Sequence, residues 1–139
     1  MDNYMNKLKL QKIEYANINA KAKEMYNFSK ASAILADYGF ATMWLNNDWQ
    51  GADFIAVHFD GITDIKVQLK GRLSFDKRYI GKEIYICFLS KEECYLYPHD
   101  YVLNKLEHRI SDKIWLSKGT WTSSSLTREN KALLQEYKL

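Results

Sequence analysis

Apolar residues Phe28, Ala31, Leu35 and Tyr38 recur at three- and four-residue steps, one face of a 3.6-residue period. That spacing predicts a helix over about Asn17–Tyr38, closed by Gly39 at its C-terminal cap. Beyond Gly39 the pattern changes to short runs of β-forming residues: about Ala41–Leu45, Ala52–Phe59, Ile65–Gly71 and Glu83–Leu89, with Glu93–Tyr97 the expected hairpin partner of the last. Pro98 has no N–H to give to a ladder and ends that strand. Asp100 is placed to cap a short helix running through about Arg109. Lys113–Leu116 reads as one last strand, Thr122–Ser125 as a loop holding cap candidates, and Leu126–Tyr137 as a C-terminal amphipathic helix. A helix, a run of strands and then helices predicts an α+β fold. No repeat or linker divides the 139 residues, so a single domain over 1–139 is expected.

Composition narrows the class. The chain is 47% apolar and 27% charged, ordinary for a globular protein and long enough to bury a core. No apolar run approaches the ~20 residues of a membrane span. The stretch MDNYMNKLKLQK lacks the apolar core of a signal peptide. Cys87 and Cys94 fit neither a zinc knuckle nor a disulfide framework, which leaves two reduced thiols and a cytoplasmic location as the expectation.

The segment WQGADFIAVHFDGITDIKVQLKGR concentrates the chemistry. Asp60-Gly61 favours a two-residue type I′ hairpin turn. With Phe59 then opposite Ile62, paired residue numbers sum to 121 and Asp53 faces Gln68. Lys70, two residues on, shares that face. A four-residue turn is expected to shift the pairing so that Asp53 meets Lys70, with all three still on one face, whereas a one-residue slip would separate them. Asp53 would also share its face with Ile55, Val57 and Phe59, an apolar row in which an acid needs a partner, a proton or a metal. Glu24 falls on the apolar stripe of the first helix and is a candidate fourth member. If the helix starts late, Glu24 instead lies at its solvated end, and Glu14 is a weaker substitute.

An acid, an amide oxygen and a lysine so arranged suit a hard cation. Mg²⁺ (or Mn²⁺) would take the Asp53 carboxylate, the Gln68 amide oxygen and the Leu69 backbone carbonyl as oxygen ligands. It would polarise a scissile phosphate and acidify an attacking water. Lys70 would orient that water and offset charge on the phosphorus. Gln68, being neutral, is a weaker ligand than Glu.

The constellation resembles the PD-(D/E)xK nuclease superfamily, whose core is a helix, a strand meander and a helix. Asp53 matches the acid of the second core strand, and Gln68-Leu69-Lys70 matches the (D/E/Q)-x-K of the third. Glu24 matches the carboxylate that the first helix often contributes. The run from DYGFATMWLNNDWQGADFIA through VQLKGRLSFDKRYIGKEIYICF to YLYPHD is also similar to small bacterial or phage proteins with this signature. The resemblance covers roughly residues 24–100. It implies a restriction-endonuclease-like core, with a mixed sheet of four to five strands and flanking C-terminal helices, and Mg²⁺-dependent hydrolysis of DNA. Gln68 stands where Glu is commoner, a variant also used by some intron-encoded homing nucleases. Gly51-Ala52 stands where a proline often precedes the acid.

The remaining charge bears on partners. A net charge of +3 permits nucleic-acid binding without demonstrating it. Lys66, Lys70, Arg72, Lys77, Arg78 and Lys82 cluster with only Asp76 among them. The cluster reads as a solvated face or as a set of phosphate contacts. Tyr79 and Lys82 follow the third strand closely and are candidate backbone contacts. Tyr79, Tyr85, Tyr95, Tyr97, Trp44 and Trp49 are as readily core or cross-strand residues as base-stacking ones. His58, His99 and His108 are too scattered for a cluster. Three functions follow: a nuclease acting on DNA, with RNA as a further substrate class; a module that binds nucleic acid without cutting it; and a phage- or defence-related factor that blocks a protein partner. A homodimer would supply the two sites needed to cut both strands.

Overall fold

The computed structural model describes residues 8–90, 93–110, 113–123 and 125–139. Residues 1–7, part of the stretch read as lacking a signal peptide, lie outside them, as does Ser124 of the expected loop. The fold is α+β, with an N-terminal helix, a mixed five-stranded sheet and C-terminal helices.

Helix α1 spans Ala20–Ala36. It begins later than the spacing suggested, because residues Tyr15–Asn17 form a separate 3-10 turn and Asn19 is the cap, its side chain accepting the Ala22 N–H at 2.8 Å. Ala31 and Leu35 are fully buried, and Phe28 packs against Trp44 and Phe54 with ring centroids 5.0 and 5.1 Å away. Tyr38 leaves the helix and is half exposed, so it does not extend the buried stripe. Gly39 adopts φ +86°, and a Cβ there would lie 2.8 Å from His58 Nε2.

Strands β1 (Phe40–Trp49), β2 (Ala52–His58), β3 (Asp64–Lys70), β5 (Ile84–Ser90) and β6 (Glu93–Pro98) form the main sheet in the order β1-β2-β3-β5-β6. The meander is broken once. Between β3 and β5 the chain leaves the sheet to form β4 (Ser74–Asp76) and a 3-10 turn, then returns parallel to β3. β4 pairs instead with β7 (Thr120–Thr122), so Thr122 belongs to a strand and not to the expected loop. Lys113–Leu116 is not a strand. It lies in helix α3 (Lys113–Lys118), where Trp115 is buried while Ile114 and Leu116 face solvent, and β7 supplies the strand instead. Helix α2 covers His99–Leu106, and α4 covers Arg128–Leu134 behind a Thr127 cap.

The β2–β3 register obeys the sum of 121: Phe54↔Val67, Ile55↔Lys66, Ala56↔Ile65 and Val57↔Asp64. The turn that sets it is not the expected two-residue type. His58 N–H bonds to Thr63 C=O at 2.8 Å, which encloses a four-residue loop; contrary to expectation, this loop leaves the pairing unshifted, because it opens the Phe59–Ile62 pair and inserts no residue. Asp60 holds that loop by accepting the Ile62 and Thr63 N–H groups at 2.8 Å and the Thr63 hydroxyl at 2.7 Å. Two consecutive positive φ values, the mark of a type I′ turn, occur instead at Gln50 (54°) and Gly51 (86°), between β1 and β2.

Helix α1 covers one face of the sheet, burying Phe54, Ala56, Val67, Cys87 and Cys94. The other face is packed by α2, Trp115 and Leu134 over β5 and β6. It remains open over β1 and β2, where Met43 and Val57 are exposed. The expected apolar row beside Asp53 is therefore outward: Phe59 is exposed, whereas Phe54 and Ala56 are fully buried on the opposite face.

Gly39→Ala would force a side chain into the left-handed region against His58, and should lower unfolding stability by about 1–3 kcal/mol in chemical denaturation. The three hydrogen bonds to Asp60, the backbone N–H groups of Thr63 and Ile62 first, pull its carboxyl from 3.8 to about 2. A depressed acid stabilises the fold above its unfolded pKa and loses that contribution as pH falls through the folded value. Asp60→Asn should therefore flatten the fall in stability between about pH 4 and pH 2. Identical acid limbs for the two proteins in urea titrations would sink this account.

Candidate functional site

At the end of β3 the strands part. The next hydrogen-bonded pair in the 121 register would be Ala52 with Leu69, but the ladder stops at Phe54↔Val67. Asp53 Oδ2 takes over and accepts the Leu69 N–H at 2.8 Å. A strand residue presents its N–H and C=O along the same edge, so the Leu69 carbonyl also faces the Asp53 side. Gln68 and Lys70 lie opposite Ile86 and Phe88 of β5 and share one face.

Glu24, Asn27, Asp53, Gln68, Leu69, Lys70, Gly71 and Leu89 line one cleft of about 260 Å³ at this opening. Four residues expected to act together are thus brought to one place, across the junction of α1 and the sheet. Glu24 lies in the second turn of α1, partly exposed, with Lys21 Nζ 3.9 Å from its carboxylate. Glu14 does not line the cleft. Asn27, three residues beyond Glu24, joins it; that one-turn spacing was the available signal. The oxygens that could hold a cation are hard ones, of the kind Mg²⁺ or Mn²⁺ takes: the Asp53 and Glu24 carboxylates, the Gln68 amide and the Leu69 carbonyl. Among the described residues, no group of three or more His, Cys, Asp and Glu is placed to hold a metal, so such a set would rest on two acids and two neutral oxygens.

Lys70 Nζ sits 5.7 Å from the centroid of the Tyr79 ring, a cation–π contact. Tyr79 is only 6% exposed and edge-on to His99, so it carries Lys70 from within the core and offers no open ring face to a base. Lys66 turns toward the β1–β2 turn, donating to Gln50 Oε1 at 3.0 Å. Arg72, Lys77, Arg78 and Lys82 are exposed. Arg78 is committed to the buried Asp76 through a fork, with Nη2 2.6 Å from Oδ2. Burial would raise the Asp76 carboxyl, but the Arg78 hydrogen bonds and charge, with Lys70 beyond, hold it below the usual range.

One buried network escaped the sequence reading. His99 is fully buried; its Nε2 accepts the Asp76 N–H at 3.0 Å, so its proton lies on Nδ1 and is donated to Asp100 Oδ1 at 2.8 Å. Asp100 also accepts the Gly81 N–H at 2.8 Å, and so ties α2 to the β4–β5 connection instead of capping the helix. Cys87 and Cys94 are buried free thiols on neighbouring strands with sulfurs 3.6 Å apart. Among the described residues, no helix is long and apolar enough to cross a membrane.

No family model, curated protein or solved structure matches the chain.

Asp53→Ala removes the acceptor of the Leu69 N–H. It should speed hydrogen exchange at the Leu69 amide by about tenfold or more, as expected for a bond to a charged acceptor worth about 1.5 kcal/mol. Asp53→Asn keeps an acceptor oxygen and should change that rate less. Unaltered Leu69 exchange in Asp53→Ala would refute the assigned bond.

Proposed function

We propose that this protein is a metal-dependent nuclease of the PD-(D/E)xK kind, hydrolysing phosphodiester bonds in DNA. The supporting observation is that Glu24, Asp53, Gln68, Leu69 and Lys70 line one cleft. Asp53, Glu24, the Gln68 amide and the Leu69 carbonyl would hold Mg²⁺ or Mn²⁺. Such an ion, when bound, supplies Lewis acidity to the phosphate and acidifies the attacking water.

The chain's own residues would do the rest. Lys70, steadied on the Tyr79 ring, would donate to the water or to a non-bridging phosphate oxygen and stabilise the added charge. The Leu69 N–H bond fixes the Asp53 carboxylate before any ligand arrives. The exposed Arg72, Lys77 and Lys82 would give salt-dependent phosphate contacts. Two copies would be needed to cut both strands together.

Gln68 favours a second reading. With a neutral amide in place of an acid, the same cleft and basic stretch would suit a protein that grips DNA and turns it over poorly.

Purified protein incubated with plasmid and single-stranded DNA in Mg²⁺ or Mn²⁺ should cleave. Asp53→Ala and Lys70→Ala should each slow cleavage by about 10²–10³-fold. Gln68→Glu should lower the Mg²⁺ concentration needed for half-maximal rate. Wild-type rates in both alanine variants would reject the site, and salt-sensitive DNA retention without any cleavage would favour the second reading.

A further inference from the structure

We propose that Trp49 is a stacking platform for a base of single-stranded DNA lying across the cleft, an inference that rests on the nuclease reading above. Burial separates the candidate stacking residues. Tyr95 and Tyr97 are fully buried and Tyr79 nearly so, and the Trp44 ring packs on Phe28. Trp49 is 52% exposed.

Its position is fixed. Trp49 pairs with Ala52 across the tight turn at Gln50 and Gly51, both in the left-handed region. Gly51 seats that turn against the ring of Tyr79, so closely that a Cβ would lie 2.9 Å from it. The same Tyr79 ring carries Lys70. The turn is therefore anchored to the residue that steadies the site's lysine.

A cation accompanies the indole. Lys66 Nζ lies 5.8 Å from the Trp49 ring centroid while donating to Gln50. Lys66 is two residues before Gln68 and on the same face of β3. A half-exposed indole with a lysine over one face suits a strand of nucleotides: a base lies on the other face, and a phosphate of the strand meets the ammonium. Bases inside a duplex are already stacked and do not offer their faces. The platform therefore selects strands whose bases are unpaired, and the basic residues beyond it complement their phosphates.

The test uses the full chain in EDTA, so that binding is read without cleavage. Labelled oligothymidylate and a hairpin duplex of similar charge are titrated by fluorescence anisotropy against wild type, Trp49→Ala and Trp49→Phe. Trp49→Ala should weaken oligothymidylate binding by about ten- to a hundredfold and leave duplex binding within about twofold. Trp49→Phe should retain most of the affinity, and the tryptophan quenching that wild type shows with oligothymidylate should be reduced in it. This last comparison stands even where Trp49→Ala fails to fold. Unchanged single-strand affinity, or equal losses on both DNAs, would overturn the platform. Duplex-only binding with metal-dependent cleavage would remove the platform and leave the nuclease reading intact. A wild type that binds neither DNA, in EDTA or with Mg²⁺ restored, and cuts neither would end both.

Discussion

The candidate site depends on one substitution of a side chain for backbone. Where β2 and β3 diverge, the Leu69 N–H loses its ladder partner, and the Asp53 carboxylate replaces it at 2.8 Å. An orphaned amide at this depth would cost roughly 1–3 kcal/mol. A carboxylate, as a charged acceptor, makes the stronger bond. The divergence creates the cleft, and the bond that compensates for it fixes the acid at its rim. A fully zipped hairpin would satisfy the same N–H through Ala52 and close the opening in doing so.

Tyr79 supports that opening from behind Lys70 without lining it. Its ring is met by Lys70, by the edge of His99 and by the β1–β2 turn at Gly51. His99 is in turn held in a single tautomer by the Asp76 N–H and by Asp100. A change in this buried network would be felt at Lys70 through packing, since none of these groups lines the cleft. Gly51 is restricted on two counts, by its positive φ and by the ring it touches, which ties the approach of β1 to the placement of the lysine.

The register of Asp53, Gln68 and Lys70 was legible because period-two alternation and a turn signal constrain it jointly. The turn type was not. A two-residue turn and the four-residue loop that forms give the same pairing sum; the His58–Thr63 backbone bond and the Asp60 side-chain bonds distinguish them. The face of Asp53 was misjudged for a related reason. Alternation gives two rows, Phe54 with Ala56 and Ile55 with Val57, and both are apolar; which row is buried depends on where α1 lands. Lys113–Leu116 failed because four residues hold too little period to separate helix from strand. Tyr79 and His99 were unreadable because His99 is buried against Phe75 and Asp76 of β4, a strand that leaves the sheet, and Tyr79 packs on His99 in turn. The cleft itself brings together a helix and a strand 29 residues apart, at Glu24 and Asp53, which the stripe of α1 suggested and the family resemblance matched.

Gln68 carries an electrostatic consequence as well as a ligand one. Three carboxylates in one cleft repel one another, and without a cation at least one of them is driven toward protonation. With Gln68 neutral, the described acids of the cleft are Asp53, already bonded to the Leu69 N–H, and Glu24, which has Lys21 nearby. Such a cleft is stable without a metal, and for the same reason attracts one less strongly. On the nuclease reading, DNA becomes part of the binding site: the oxygens of a phosphate brought in by Lys66 and the exposed basic residues would restore the negative charge that Gln68 withholds. Metal affinity and DNA affinity would then rise together, each ligand completing the site for the other.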